Sequence, residues 1–214
     1  MRVTIAFHGP FRVATGTGRP GLDAAVDRDN LLPASTLKGL MRDSAERLLP
    51  GLPRLVEAVF GGPHHPTPWG WEAARFPSGQ DPEPPGDATH SDAGADNRPG
   101  HRPVVTTRAR VRLDEDSGAA LHDHLLYGEE VWAHSAEFTV TRHGPLLDTG
   151  GPPLDRDGHL AVLACAAAGV HSLGADRRRG LGWVHCTPAD PRVDEALIMR
   201  FTALADQWRN HPHA

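Results

Sequence analysis

Of the 22 lysine and arginine residues in this sequence, only Lys38 is a lysine. It lies in the run Leu32-Pro33-Ala34-Ser35-Thr36-Leu37-Lys38-Gly39-Leu40-Met41-Arg42, where a helix start supplies backbone N–H groups. Ser35 and Thr36 add hydroxyls there, and Lys38 and Arg42 add cations one turn apart. Such a set grips phosphate oxygens and reads no base edge. Two further basic groups suit the same chemistry. Arg108, Arg110 and Arg112 alternate with Ala109 and Val111, so a strand here carries three guanidinium groups on one face. Arg177, Arg178 and Arg179 sit inside a glycine-bounded loop at 174–182. Each group also has a plainer reading: an N-cap for Ser35, an exposed sheet face for the strand, a solvated loop for the arginine run.

One acidic residue stands out by position. Asp23, in Gly21-Leu22-Asp23-Ala24-Ala25-Val26, lies on a glycine-bounded loop just ahead of the basic helix, where an anion repels phosphate. A carboxylate there can orient or deprotonate a reacting hydroxyl, or hold a divalent cation, and Mg2+ suits an oxygen-only site of one or two carboxylates. Asp27 and Asp29 are weaker candidates, and an aspartate that merely shapes a turn is the plain alternative. Gly16-Thr17-Gly18-Arg19-Pro20-Gly21 is a literal G-x-G-x-x-G. Pro20 and the extended residues 22–26 follow where a dinucleotide fingerprint opens a helix, so it reads as a glycine-rich loop. His64, His65 and His90 lack the carboxylate or cysteine spacing of a metal site. Cys165 and Cys186 have no C-x-x-C partner and read as small core residues in a reducing compartment.

The elements that must position these groups follow from periodicity. Val3, Ile5 and Phe7 share one face of a strand over 2–7. Leu37, Leu40, Met41, Ala45 and Leu48 mark a helix that Pro50-Gly51 stops. A short apolar segment, 55–60, precedes a Pro, Gly, Asp and His-rich stretch. Residues 104–113 and 131–140 alternate as strands around a turn at 114–118, a helix runs through Leu160, Leu163, Ala164 and Ala167, and residues 183–187 form a last strand. An amphipathic helix on Val193, Leu197, Phe201, Leu204 and Trp208 ends the chain. Strand, helix, strand, strand, helix, strand is the ferredoxin-like, RRM-like βαββαβ order, an α+β core with loop insertions.

Composition sets the bounds. The 214 residues suffice for a single domain with a real core, and 23 glycines with 20 prolines imply many loops. The net charge of −5 matches the five acidic residues at 81–96, which have no lysine or arginine among them. That segment reads as a disordered acidic insertion at about 80–100, and the rest of the chain is neutral with local arginine clusters. No apolar stretch is long enough to span a bilayer, which points to a cytoplasmic protein without membrane contact. Trp69 and Trp71 are open to two uses, on nucleic acid or on the core.

The run 32–42 resembles the P-G-S-S-L-K-G-x-x-R signature of RAMP proteins, the RRM-like subunits of CRISPR effector complexes. The Phe60-Gly61 step, Arg110-Val111-Arg112-Leu113-Asp114 with Gly118, Glu130-Val131 leading to Phe138, and the 174–182 loop recur in the order expected of that superfamily. The similarity is greatest to the repeated backbone subunit of type III (Csm or Cmr) effectors. It implies that Ser35, Thr36, Lys38, Arg42, Arg108, Arg110, Arg112, Arg177, Arg178 and Arg179 bind guide RNA, and that Asp23 cuts the paired target RNA. It also implies other effector subunits and further copies of this chain as partners. Ala34 and Thr36 depart from the signature's glycine and second serine, and the span from Asp23 to Pro33 is shorter than usual. Two other readings share much of this pattern: a non-catalytic guide-binding subunit, and a guide-RNA-processing endonuclease with a histidine base on two tandem folds.

Overall fold

The computed structural model describes residues 1–16, 18–77, 102–114, 116–146 and 150–211, with backbone alone at 112–113 and 122–123. The expected acidic insertion at about 80–100 lies outside them. Strand β1 (Arg2–Phe7) buries Val3, Ile5 and Phe7 and leaves Arg2 exposed, as its alternation predicts. It is the hub of a four-stranded sheet ordered β2-β5-β1-β6, with β2 at Trp69–Trp71, β5 at Ser135–Arg142 and β6 at Val184–Pro188. All three pairings are antiparallel, with Val3 opposite both Phe138 and Pro188.

Helices α1 (Ala34–Leu48) and α3 (Arg156–Ala168) pack on one face of this sheet, where Leu37 and Met41 meet Ile5, Phe138 and Cys186. Residues of the other face, among them Arg2, Glu137, His185 and Thr187, are exposed. Helix α2 (Pro53–Phe60) packs on α1, and α4 (Glu195–Arg209) packs on α3 through Leu204, Ala205 and Trp208. Arg200 on α4 pairs with Asp155, whose other role is to cap α3 by accepting from the Gly158 N–H. Burial pushes the thiols of Cys165 and Cys186 up to about 11 and about 12, so both are protonated core residues rather than nucleophiles.

Strands β3 (Val104–Leu113) and β4 (Ala120–Trp132) form a separate two-stranded hairpin. Its turn closes where Asp114 accepts from the Ser117 N–H and hydroxyl and Gly118 takes φ 66°. The base is anchored on Phe11, which exchanges backbone hydrogen bonds with Val131. This corrects two sequence expectations. Residues 104–113 are not the second strand of the central sheet; three-residue β2 takes that place, too short to show a period. The expected strand over 131–140 breaks at Ala133-His134, where the His134 carbonyl turns to accept from the Phe7 N–H. Segment 55–60 belongs to helix α2, five of whose eight residues are buried.

The two tryptophans belong to the core. Trp69 is 5% exposed and its Nε1 donates to Nδ1 of buried His159 at 3.1 Å. Trp71 stacks on Phe60 at 5.7 Å. Burial drives the His159 pKa down to about 4, with Asp155 opposing the shift. The unfolded chain therefore takes this proton first, and the stability held above pH 6.5 is lost as pH falls toward 4. Wild type is expected to lose about 2 kcal/mol between pH 6.5 and 4.5 through this group. The His159→Gln variant, which keeps an acceptor for Trp69 but does not titrate, should show a flatter profile. Thermal melts across that pH range check it.

Candidate functional site

Arg12, Ala14, Asp23 and Ala24 build the floor of a cleft of about 1220 Å³. The chain leaves β1, crosses beside β4 and doubles back: Ala14 bridges Val26, and Arg19 and Leu22 exchange backbone hydrogen bonds. Gly21 takes φ 78° at the tip. On the return arm Asp23 is exposed, its N–H donating to the Tyr127 carbonyl and its Oδ2 accepting from the Tyr127 N–H, both at 2.8 Å. Ala24 runs parallel to Gly128, and the Val26 N–H donates to buried Glu129 at 3.0 Å. The Arg28 guanidinium, 2.6 Å away, holds the Glu129 carboxyl below its ordinary range against the upward push of burial. Asp23 is thus fixed on β4 by two backbone contacts, with Glu129 as the peg beneath its loop.

Asp27 and Asp29 differ from it. The Asp27 carboxylate accepts from the N–H groups of Asp29 and Asn30, a local turn, and neither lines the cleft.

The opposite wall comes from the 174–182 loop, which clamps on Arg12. The Ala175 N–H donates to the Arg12 carbonyl, and the Gly182 N–H to the Pro10 carbonyl, both at 2.8 Å. A Cβ on Gly174 would collide with that Arg12 carbonyl, and one on Gly182 with the Leu173 carbonyl. Arg12, only 6% exposed, is a residue the sequence reading missed; a single arginine among apolar neighbours gives no periodic signal. Its guanidinium passes over Gly128, where any side chain would meet it, and pairs with Asp176.

Asp176 also accepts from Arg110 at 2.6 Å, and Arg110 bonds buried Glu130 at 2.8 Å. Burial alone lowers the Arg110 pKa, but the bonds to Glu130 and Asp176 outweigh it and hold it above its ordinary value. Arg108 reaches Glu130 at 3.6 Å. The expected arginine face of β3 is therefore a network in which three guanidiniums, Arg12, Arg108 and Arg110, meet two carboxylates. Arg112 lies at the β3 bulge, where only its backbone is described. Arg177, Arg178 and Arg179 form an exposed 3-10 turn, and Arg179 lines the cleft. One concavity thus gathers Asp23, Arg110 and Arg179, together with Arg12, His124 and Asp176.

The helix motif lies at a second hollow of about 320 Å³, with Lys38 and Arg42 beside Gly61, Gly62 and His65. Lys38 Nζ sits 5.7 Å from the Trp71 ring centre, a cation–π contact that aims it. Arg42 donates to the Gly61 carbonyl at 3.1 Å and to Glu46 at 3.0 Å. Ser35 is exposed and Thr36 half-buried in the first turn. Ser35 is not the cap, because the helix begins at Ala34 and Pro33 takes the N-cap place without a side-chain bond.

The sequence profile of the RAMP superfamily matches residues 4–185, and the chain belongs to that family. No curated protein sequence matches it. Among solved structures, a chain of the Type III-B Cmr-beta bound to cognate target RNA superposes with a TM-score of 0.57 at 14% identity. It is matched over 87% of this chain and 58% of its own length, so this protein spans little more than half of that relative. A chain of the Type III-B Cmr-beta in the apo state gives 0.56 at 13% identity, over 86% of this chain and 95% of that one. Among the described residues no helix is long and apolar enough to cross a membrane.

Proposed function

We propose that this chain is a subunit of a type III CRISPR effector that holds guide RNA by its backbone and cuts the paired target RNA at Asp23. Its core on this reading is ferredoxin-like: the antiparallel order β2-β5-β1-β6, with the helices on one face, supports that label. The observation that carries the function is the cleft whose lining brings exposed Asp23 together with arginines from three separate segments, Arg12, Arg110 and Arg179. The helix hollow with Lys38 and Arg42 suits guide phosphates, and the Asp23 cleft suits the strand to be cut. Guide RNA, target RNA, other effector subunits and copies of this chain are the partners.

In the reaction the Asp23 carboxylate accepts the hydrogen of a target 2′-hydroxyl, whose oxygen attacks the adjacent phosphorus. The 5′-oxygen leaves with a proton from solvent. Arginine side chains face the charge that develops on the non-bridging oxygens. For Mg2+, Asp23 would be the carboxylate to hold the ion beside the target phosphates, since Asp176 is engaged by Arg12 and Arg110. No step is derived through a metal.

Small RNA extracted from the purified protein tests the reading, since a protein that does not hold guide RNA should carry none. Lys38→Ala should weaken RNA binding several-fold and flatten its salt dependence by about 0.7 in slope, one phosphate's share. Its melting temperature should barely move. A flat salt profile in wild type would point to a protein ligand instead. A second reading, a guide-binding scaffold that does not cut, draws on the bond from the Tyr127 N–H, which gives Asp23 a structural use of its own.

A further inference from the structure

Three guanidinium groups converge on Asp176. Arg12 and Arg110 both donate to its Oδ2, and Arg179 lies 3.9 Å from Oδ1. Arg12 is 6% exposed, and its buried Nε has no hydrogen-bond partner. A buried guanidinium that satisfies one edge on a carboxylate and leaves another donor unmet offers more capacity than that carboxylate uses. The room for it is built in, because Gly128 presents no Cβ where the guanidinium lies.

The backbone of Asp176 is equally unusual. It is the one non-glycine residue at positive φ among the described residues, at φ 56° and ψ 27°. Aspartate is one of the side chains that adopts this region most readily, and the pairs with Arg12 and Arg110 hold its carboxylate there. Gly174, Gly180 and Gly182, all at positive φ, flank it, and open space surrounds Gly180. The carboxylate also lines the cleft that holds Asp23.

We propose that Arg12 and Arg110 form a phosphate subsite in which Asp176 is the resident counter-ion, and that a backbone phosphate of bound RNA takes its place. A phosphodiester carries the same single charge as the carboxylate and likewise offers two oxygens to the two guanidinium forks, so the exchange keeps the charge balance. Until RNA arrives, Asp176 closes the subsite to stray anions. The identity of the phosphate as RNA's rests on the function proposed above; the subsite itself does not.

The test uses the full chain as wild type, Asp176→Gly and Asp176→Asn. Glycine removes the carboxylate and tolerates the left-handed backbone; asparagine keeps shape and polar contacts should the glycine variant fold poorly. The first probe is inorganic phosphate at constant ionic strength, read by calorimetry and melting temperature. Phosphate in the millimolar range should bind and stabilise the variants and leave wild type unchanged. The second probe is a single-stranded RNA oligonucleotide. The variants should bind it roughly three- to tenfold tighter, with a salt slope steeper by about 0.7. Variants that ignore phosphate and bind RNA no better than wild type would overturn the subsite and leave Asp176 a structural latch. Phosphate binding by the variants with no RNA binding by any form would keep the subsite and overturn the RNA reading.

Discussion

Asp23→Asn should leave RNA binding by the assembled effector near wild type and reduce target cleavage at least ~100-fold, the lower range for removal of a general base. Asparagine is the informative replacement. Its side-chain oxygen can still accept from the Tyr127 N–H that Asp23 Oδ2 engages at 2.8 Å, so the loop stays pinned while the charge goes. Asp23→Ala removes both, and a cleavage defect confined to the alanine variant would assign the residue to loop structure. Asp27→Ala should cut almost normally, because its carboxylate serves only its own turn. Gel assays on a labelled target, with filter binding on the same preparations, separate these outcomes. Undiminished cleavage by the asparagine variant would reduce the protein to a guide-binding scaffold.

Gly182→Ala should be among the most destabilising single changes available. The new Cβ would be driven into the Leu173 carbonyl at a backbone of φ 73°, so it meets both a steric and a conformational penalty. The expected loss is about 3–5 kcal/mol, a fall in melting temperature of roughly 6–20 °C for a chain of this size. Gly174→Ala should behave similarly through the Arg12 carbonyl. Gly180→Ala is the control. It shares positive φ, 85°, but no atom lies within 4 Å of the place its new methyl would take, so about 1 kcal/mol is expected. Equal losses at 180 and 182 would show that backbone conformation alone, without the close approach, explains these glycines.

Much of the architecture was legible because its signals are local. The alternation of Val3, Ile5 and Phe7 and the helical spacing of Leu37, Met41 and Ala45 each arise from one element meeting one core. What stayed hidden depends on which strand pairs with which. The arginine-bearing strand 104–113 has the period of a sheet strand, and nothing in it reveals that its partner is β4 rather than β5. The basic residues were identifiable by type. Their counter-ions were not, since Glu130 and Asp176 are distant in sequence from one another and from Arg12. Asp23 was singled out from its place before the motif helix, whereas Tyr127 enters only by its backbone, which no side-chain pattern can announce.

The pairing of β1 also bears on how the protein comes into being on the ribosome. Its two neighbours are β5, where Val3 faces Phe138, and β6, where Val3 faces Pro188. β1 therefore waits, apolar face uncovered, until β5 and β6 have been synthesised. Helices α1 and α2 can form early from local contacts, but the sheet beneath them cannot close before translation reaches residue 188. At elongation rates of about 5–20 residues per second, that delay is on the order of ten seconds or more. A nascent chain stalled before β6 should remain protease-sensitive along its whole length and bind holdase chaperones, and a chain released beyond it should become resistant in one step.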